Sequence, residues 1–277
     1  MESDCTKEQK WLLIEKYGGV KSLEFDKDCK RLAEGEPLAY VIGWVLFLGL
    51  KMYLDSKPLI PRPETEWWTE QLIANVGTYD VPTLKFLDLC AGSGAIGCAA
   101  LARLPNAKVY FGEIDPTHEA TIRKNIREND LDESRADIRI GDLFNPFTSH
   151  LTLPSPIGDG KVKRQQDELF KKWTSDVHFF DIIACNPPYV PQERVLPESV
   201  QNFEPALALR AGVDGLSIIR RIIKEASAHL TVGGQLWLEC DTEHAESVRQ
   251  LVEQAGAREA KLRTDQYGRP RLIVAYW

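Results

Sequence analysis

An α/β fold built on a mostly parallel sheet is predicted by three observations. From Leu84 onward, β-rich apolar runs alternate with helical patterns. Glycines follow the first of those runs directly, where a strand would turn into a helix. Of the 277 residues, 43% are hydrophobic, enough to bury the core of one large domain with a small companion. Strand and helix in alternation bring successive strands parallel, because each crossover helix returns the chain to the same end of the sheet.

Residues 1 to about 35 are polar with helical spacing, carried by Trp11-Leu12-Leu13-Ile14 and by Leu23 and Phe25. The next stretch, YVIGWVLFLGLKMYLD, is rich in β-formers and broken by Gly43 and Gly49, which predicts a hairpin. SKPLIPRPETE follows as a stiff linker, since its three prolines favour extended backbone. Glu64 or Thr65 then starts the helix ETEWWTEQLIANV. Strands are predicted at LKFLDLC, AKVYFGEID, ADIRIGDLF, FFDIIAC, GGQLWLEC and RLIVAYW, with an Ala-rich helix after the first and another helix, ending near Asn129, after the second. Residues 148–175 interrupt the alternation with polar, Pro- and Gly-containing sequence and are expected to form a surface excursion with one short helix.

The net charge of -7 argues against a protein whose affinity rests on a broad phosphate-binding surface. Six cysteines are scattered without a Cys-x-x-Cys pair or a histidine spacing that suits zinc, so free thiols in a reducing compartment and no metal are expected. Neither a membrane-length apolar run nor a signal-peptide pattern is present, and a cytoplasmic location is expected.

LDLCAGSGAIG places Gly92, Gly94 and Gly97 in the pattern G-x-G-x-x-G, with Glu113 about twenty residues later at the end of the next strand. Alone, that pattern marks any nucleotide-like ligand, a nicotinamide dinucleotide included. Three carboxylates favour S-adenosylmethionine. Asp88 lies just before the glycines, where it can meet the ammonium or sulfonium side, and Glu113 is placed for the ribose hydroxyls, with Asp115 as the alternative. Asp142, with Leu143 beside it, ends the third strand, where the adenine amino group would sit. All three recur at the carboxyl ends of strands, the edge on which open α/β sheets bind ligands.

The fourth strand ends in Asn186-Pro187-Pro188-Tyr189. Two prolines cannot continue a ladder and leave carbonyl acceptors beside the ligand edge. An amide or aromatic amine has a delocalised lone pair, so it takes a methyl group only if its hydrogens are held by acceptors that stabilise the developing positive charge. The Asn186 side-chain oxygen and the Pro187 carbonyl suit that task, and Tyr189 can cover a flat group. No strong general base is needed, because the proton can leave after transfer.

These residues resemble the N5-glutamine methyltransferases of peptide chain release factors, the HemK or PrmC family. The elements that match are GEPLAYVIG, LIPRPETE, LDLCAGSGAIG, CNPPYV, FEPALALRAGVDGL and GGQLWLE, in the family's order, over roughly residues 34 to 277 apart from the interruption. The resemblance implies a seven-stranded, Rossmann-like class I methyltransferase sheet with one antiparallel edge strand. It implies S-adenosylmethionine as donor, S-adenosylhomocysteine as product, and a class 1 release factor as partner, methylated on the glutamine of its Gly-Gly-Gln loop. Residues 1–60 would form a small helical and hairpin module that docks the release factor, and 61–277 the methyltransferase domain. Arg62 and Glu64 would lie near the cofactor. Two departures stand out: Cys90 replaces the first glycine of the family's Asp-x-Gly-x-Gly-x-Gly, and the N-terminal part matches only half of the usual helical domain. The alternative activity is adenine-N6 methylation of DNA or RNA, since the same tetrapeptide can grip an adenine amine. The acidic charge and the lack of a separate basic target-reading domain weigh against it.

Overall fold

The computed structural model describes residues 6–76, 83–148 and 179–277. At the N-terminus, Thr6 and Gln9 exchange side-chain and backbone hydrogen bonds as a capping box and start α1 (Lys7–Glu15). The Ser22 hydroxyl accepts from the Phe25 N–H and starts α2 (Leu23–Ala33). Tyr40-Val41-Ile42 lies in a third short helix, α3 (Leu38–Ile42), and not in a strand. Gly43 closes that helix in the left-handed region (φ 98°), and Val41 is buried with Leu12 and Phe25 in a small core of its own. Burial there outweighs the β propensity of Tyr, Val and Ile.

The expected hairpin is β1 (Trp44–Phe47) with β2 (Leu50–Tyr53). The next helix, α4 (Pro63–Val76), begins one residue before Glu64 and two before Thr65, the two expected starts. Pro63 fits that position because its fixed φ is helical and its missing N–H would have had no partner in a first turn.

The main sheet contains β3 (Leu84–Leu89), β4 (Ala107–Glu113), β5 (Ala136–Ile140), β6 (Phe180–Cys185), β7 (Leu230–Glu239), β8 (Glu259–Thr264) and β9 (Pro270–Tyr276), in the order β5-β4-β3-β6-β7-β9-β8. The first five run parallel, while β9 is antiparallel to both of its neighbours. The antiparallel strand therefore sits one place in from the edge, and the edge itself is β8. Sequence patterning passed over β8 because its residues, Glu-Ala-Lys-Leu-Arg-Thr, lie at a half-exposed rim and carry little apolar signal. Helices α5 (Ala95–Arg103) and α6 (His118–Glu128) lie with α4 on one face. Helices α8 (Ser217–Ala226) and α9 (Ala245–Gln254) pack on the other, and α7 (Glu198–Phe203) belongs to the connection after β6. Apart from Thr148, the interruption at 148–175 lies outside the described residues.

From β3 the chain builds outward through β4 and β5, then returns to lay β6 on the other side of β3. That reversal opens a crevice at the carboxyl ends of β3, β4 and β6.

The hairpin is held to the domain by α6. Asn125, fully buried, accepts from the Tyr53 N–H (2.7 Å) and donates to Tyr53 O (3.1 Å) and to Ser93 O (2.9 Å), while Asn129 one turn on does the same for Lys51. The two amides act as a substitute strand for the open edge of β2. Asn125→Ala is expected to lower stability by about 3 kcal/mol, since it strands a buried N–H and carbonyls, and to lower the melting temperature by about 5 to 10 °C. Calorimetric melting measures it. A loss below about 1 kcal/mol would mean that the remaining contacts hold the hairpin without Asn125.

Candidate active site

The crevice is built from strand ends. The loop after β3 turns sharply because Cys90 and Gly92 both hold left-handed backbone (φ 62° and 56°). For a non-glycine residue this costs about 1 kcal/mol, and Cys90 adopts there the conformation that the family's glycine would take without cost. Gly92 faces open space: a Cβ added to it would meet only Pro58, at 3.9 Å. Backbone is thereby exposed to a ligand.

Cys90, Gly92, Glu113, Asp142, Leu143 and Asn186 line the resulting cleft, with Ile114, Pro205 and Ile218 among its apolar walls. Glu113 is buried, and both of its oxygens brace the rim. Oε2 accepts from the Gly92 N–H (2.7 Å) and Oε1 from the Asp115 N–H (2.8 Å). Asp115 also lines the cleft, but its Oδ1 is used by the Thr117 N–H and hydroxyl, which hold its carboxyl below the usual range. Asp142 accepts from Arg221 at 2.7 Å on the open side, and Leu143 beside it is buried with φ 49°.

Asp88, Gly94, Gly97, Arg62 and Glu64 do not line this cleft. Asp88 is wholly buried under the floor of the cleft and does not line it. Its Oδ2 accepts from the Gly97 N–H (2.8 Å), its Oδ1 has no partner, and burial pushes its carboxyl well above the usual range. Gly94 holds left-handed backbone (φ 79°) and packs closely on Ile122 and Phe111, where a Cβ would come within 3.1 Å, so its place is in helix-to-sheet packing. Gly97 packs more tightly still, since a Cβ there would overlap the Phe111 ring. Arg62 faces a second hollow and donates to the buried Glu204 at 2.6 Å, whose other oxygen accepts from the Ile60 N–H. Glu64 lines neither space and pairs with Arg269. The proline-rich linker is thus clamped to the Phe203-Glu204-Pro205 segment.

The second hollow is lined by Arg62, Asn186, Pro187, Tyr189, Val200 and Leu209. Pro188 faces the first cleft. Asn186 borders both spaces, so its amide stands where they meet. Asn186 Nδ2 donates to Thr65 Oγ1 (3.0 Å), which leaves the side-chain oxygen for an incoming donor. The Tyr189 hydroxyl donates to Glu239 (3.0 Å), and burial of that hydroxyl beside a carboxylate raises its pKa well above the ordinary value.

Sequence inspection missed Thr65, Trp68, Glu204 and Glu239 at this site. Glu239 had a signal: it is a carboxylate at the carboxyl end of a strand beside the crevice, the same placement that drew attention to Glu113 and Asp142. Thr65 had none, because its partner Glu239 is 174 residues away.

A family model described as Conserved hypothetical protein 95 matches residues 60–151. The chain is 33% identical over 225 residues to a protein from Chlamydia trachomatis serovar L2 named release factor glutamine methyltransferase, covering 80% of this chain and 66% of that one. It thus spans about two thirds of that relative's length. A protein of the same name from Thermodesulfovibrio yellowstonii is 31% identical over 255 residues, covering 88% of this chain and 78% of its own. Among solved structures, a methyltransferase from Pyrococcus furiosus superposes with a TM-score of 0.50 at 15% identity, covering 90% of this chain and 97% of that one. The hMettl16 catalytic domain, solved with a 3'UTR hairpin, gives a TM-score of 0.52 at 18% identity over 83% of this chain and 74% of its own. At those identities the superpositions concern the fold alone.

Proposed function

Since this chain belongs to the release factor glutamine methyltransferase family and has the class I methyltransferase fold, we propose that it methylates the side-chain nitrogen of the glutamine in a release factor's Gly-Gly-Gln loop, with S-adenosylmethionine as donor. One observation carries this reading: Asn186 borders both the glycine-loop cleft and the second hollow. A donor in the first and an amide in the second would meet at its side chain.

The residues present fit the donor. Gly92 leaves backbone open to it, Glu113 keeps lone pairs for ribose hydroxyls, and Leu143 with Ile218 offers apolar walls for a flat base beside Asp142. When bound, the donor supplies a methyl group on a sulfonium, and the N–C bond forms as the C–S bond breaks. The chain's own part is to hold the acceptor. Asn186 Oδ1 and the Pro187 carbonyl accept the two amide hydrogens and stabilise positive charge on nitrogen, and Tyr189 bounds the space on one side. Alignment and the held hydrogens supply the rate, and the spare proton passes to water.

Residues 1–60 would dock the release factor, a role supported by Trp11 and Ile14, which lie 55% and 65% exposed on α1. The site of action would be the cytoplasm, where release factors work. No helix among the described residues is long and apolar enough to cross a membrane.

Mass spectrometry of a class 1 release factor incubated with the protein and S-adenosylmethionine is expected to show one added methyl on the glutamine of Gly-Gly-Gln. Label appearing on adenine of DNA or RNA, with none on the release factor, would overturn the assignment in favour of an adenine methyltransferase.

A further inference from the structure

We propose that Glu239, acting through Thr65, is a positioning residue that decides which atom of the Asn186 amide faces the acceptor. This rests on the reading above, in which Asn186 holds the amide being methylated. Glu239 ends β7 with 1% of its surface exposed. Its Oε2 accepts from the Thr65 hydroxyl (2.6 Å) and from Trp68 Nε1 (2.7 Å), and its Oε1 from the Tyr189 hydroxyl (3.0 Å). None of these residues belongs to the glycine loop.

Direction passes along this chain of bonds by elimination. Trp68 Nε1 can only donate, so Oε2 is an acceptor. As long as Oε2 carries no proton of its own, the hydrogen between it and Thr65 Oγ1 at 2.6 Å can come only from the hydroxyl. The single hydroxyl proton of Thr65 is thereby committed to Glu239, and only lone pairs of Oγ1 remain. Asn186 must therefore present its N–H to Thr65, as it does at 3.0 Å, and its oxygen to the space where the two hollows meet. Rotating the amide by half a turn would set oxygen against oxygen at Thr65 and aim two N–H groups at the hydrogens of the acceptor amide. On the other side, Arg271 donates to the Tyr189 oxygen (3.3 Å), so the hydroxyl proton of Tyr189 points to Glu239 and pins the ring. One buried carboxylate thus orients both polar members of Asn-Pro-Pro-Tyr, from a strand and a helix outside the motif.

Burial pushes the Glu239 carboxyl above its ordinary range, while the three donors and the nearby Arg271 oppose that push. Without its donors the carboxylate would be an isolated buried charge, so the network and the group depend on each other.

The test compares Thr65→Val, which keeps the shape and loses the hydroxyl, with Thr65→Ser, which keeps it. In ¹⁵N-labelled protein the Asn186 side-chain amide signals, identified by their loss in Asn186→Ala, are expected to exchange slowly in wild type and Thr65→Ser. In Thr65→Val they should exchange at least about tenfold faster, as for an amide freed to rotate. Single-turnover methylation at saturating donor should fall about tenfold in Thr65→Val, recover in Thr65→Ser, and change by less than about twofold when Thr65→Val is added to Asn186→Ala. Thr65→Ala carries the same comparison if Thr65→Val melts below the assay temperature.

Unchanged amide exchange, a Thr65→Val rate within about twofold of wild type, or losses that multiply in the double variant would overturn the proposal. If the wild-type protein transferred no methyl to a release factor, the functional reading would fail, while amide exchange would still decide the orientation of Asn186.

Discussion

Asn186→Ala is expected to lose about 100-fold or more in kcat with donor affinity nearly unchanged, because it removes one oriented acceptor from the place where charge develops. Its side chain touches both hollows, but only its oxygen is available to an incoming donor, since Nδ2 is committed to Thr65. The same substitution also strands the Thr65 lone pair, so a modest fall in melting temperature should accompany the loss of rate. A residue that merely ended β6 would behave differently. Its removal would cost roughly 1 kcal/mol of stability and leave turnover of the folded fraction intact. Single-turnover rates, a melting curve and a donor titration on one preparation separate the two. Near-normal turnover by folded, donor-saturated Asn186→Ala protein would sink the acceptor mechanism.

Glu113→Ala should weaken S-adenosylmethionine binding by about 1.5 to 3 kcal/mol, the scale of a hydrogen bond to a charged group, which is roughly 10- to 150-fold in Kd. Geometry adds a second reason for the loss. Glu113 also receives the Gly92 and Asp115 N–H groups, so the alanine variant loosens both loops that frame the cleft. Glu113→Gln keeps one accepting oxygen and should lie between wild type and alanine. Asp115→Ala should cost less, because the Asp115 oxygen identified above is occupied by Thr117 at the start of α6. Calorimetric titration of the three variants ranks them. A larger loss at Asp115 than at Glu113 would transfer the ribose contact to Asp115.

The sequence by itself determined the parts of this protein that are written locally. Alternating apolar runs determine a parallel sheet, because a short, nearly continuous apolar run followed by a helical pattern leaves the chain few other ways to bury both. The glycine turn, the carboxylates at strand ends and the Asn-Pro-Pro-Tyr terminator were legible for the same reason: each lies within a few residues of the strand end that gives it meaning. Tertiary structure alone decided which of those residues face the cleft. Asp88 stands just before the glycines in sequence, yet the strand places it beneath the floor, and Gly94 and Gly97 are set by the Phe111 ring on the next strand. Arg62 and Glu64 are two residues apart in one linker, yet their partners are Glu204 and Arg269, 142 and 205 residues away. The orientation of Asn186 was equally out of reach, since it depends on Thr65, Trp68 and Glu239, brought together across 171 and 174 residues. Patterns of hydrophobicity and backbone restriction act over one turn or one strand, whereas a buried carboxylate takes whatever donors the packed layers deliver, and the delivery is settled only when α4 closes over the end of β7.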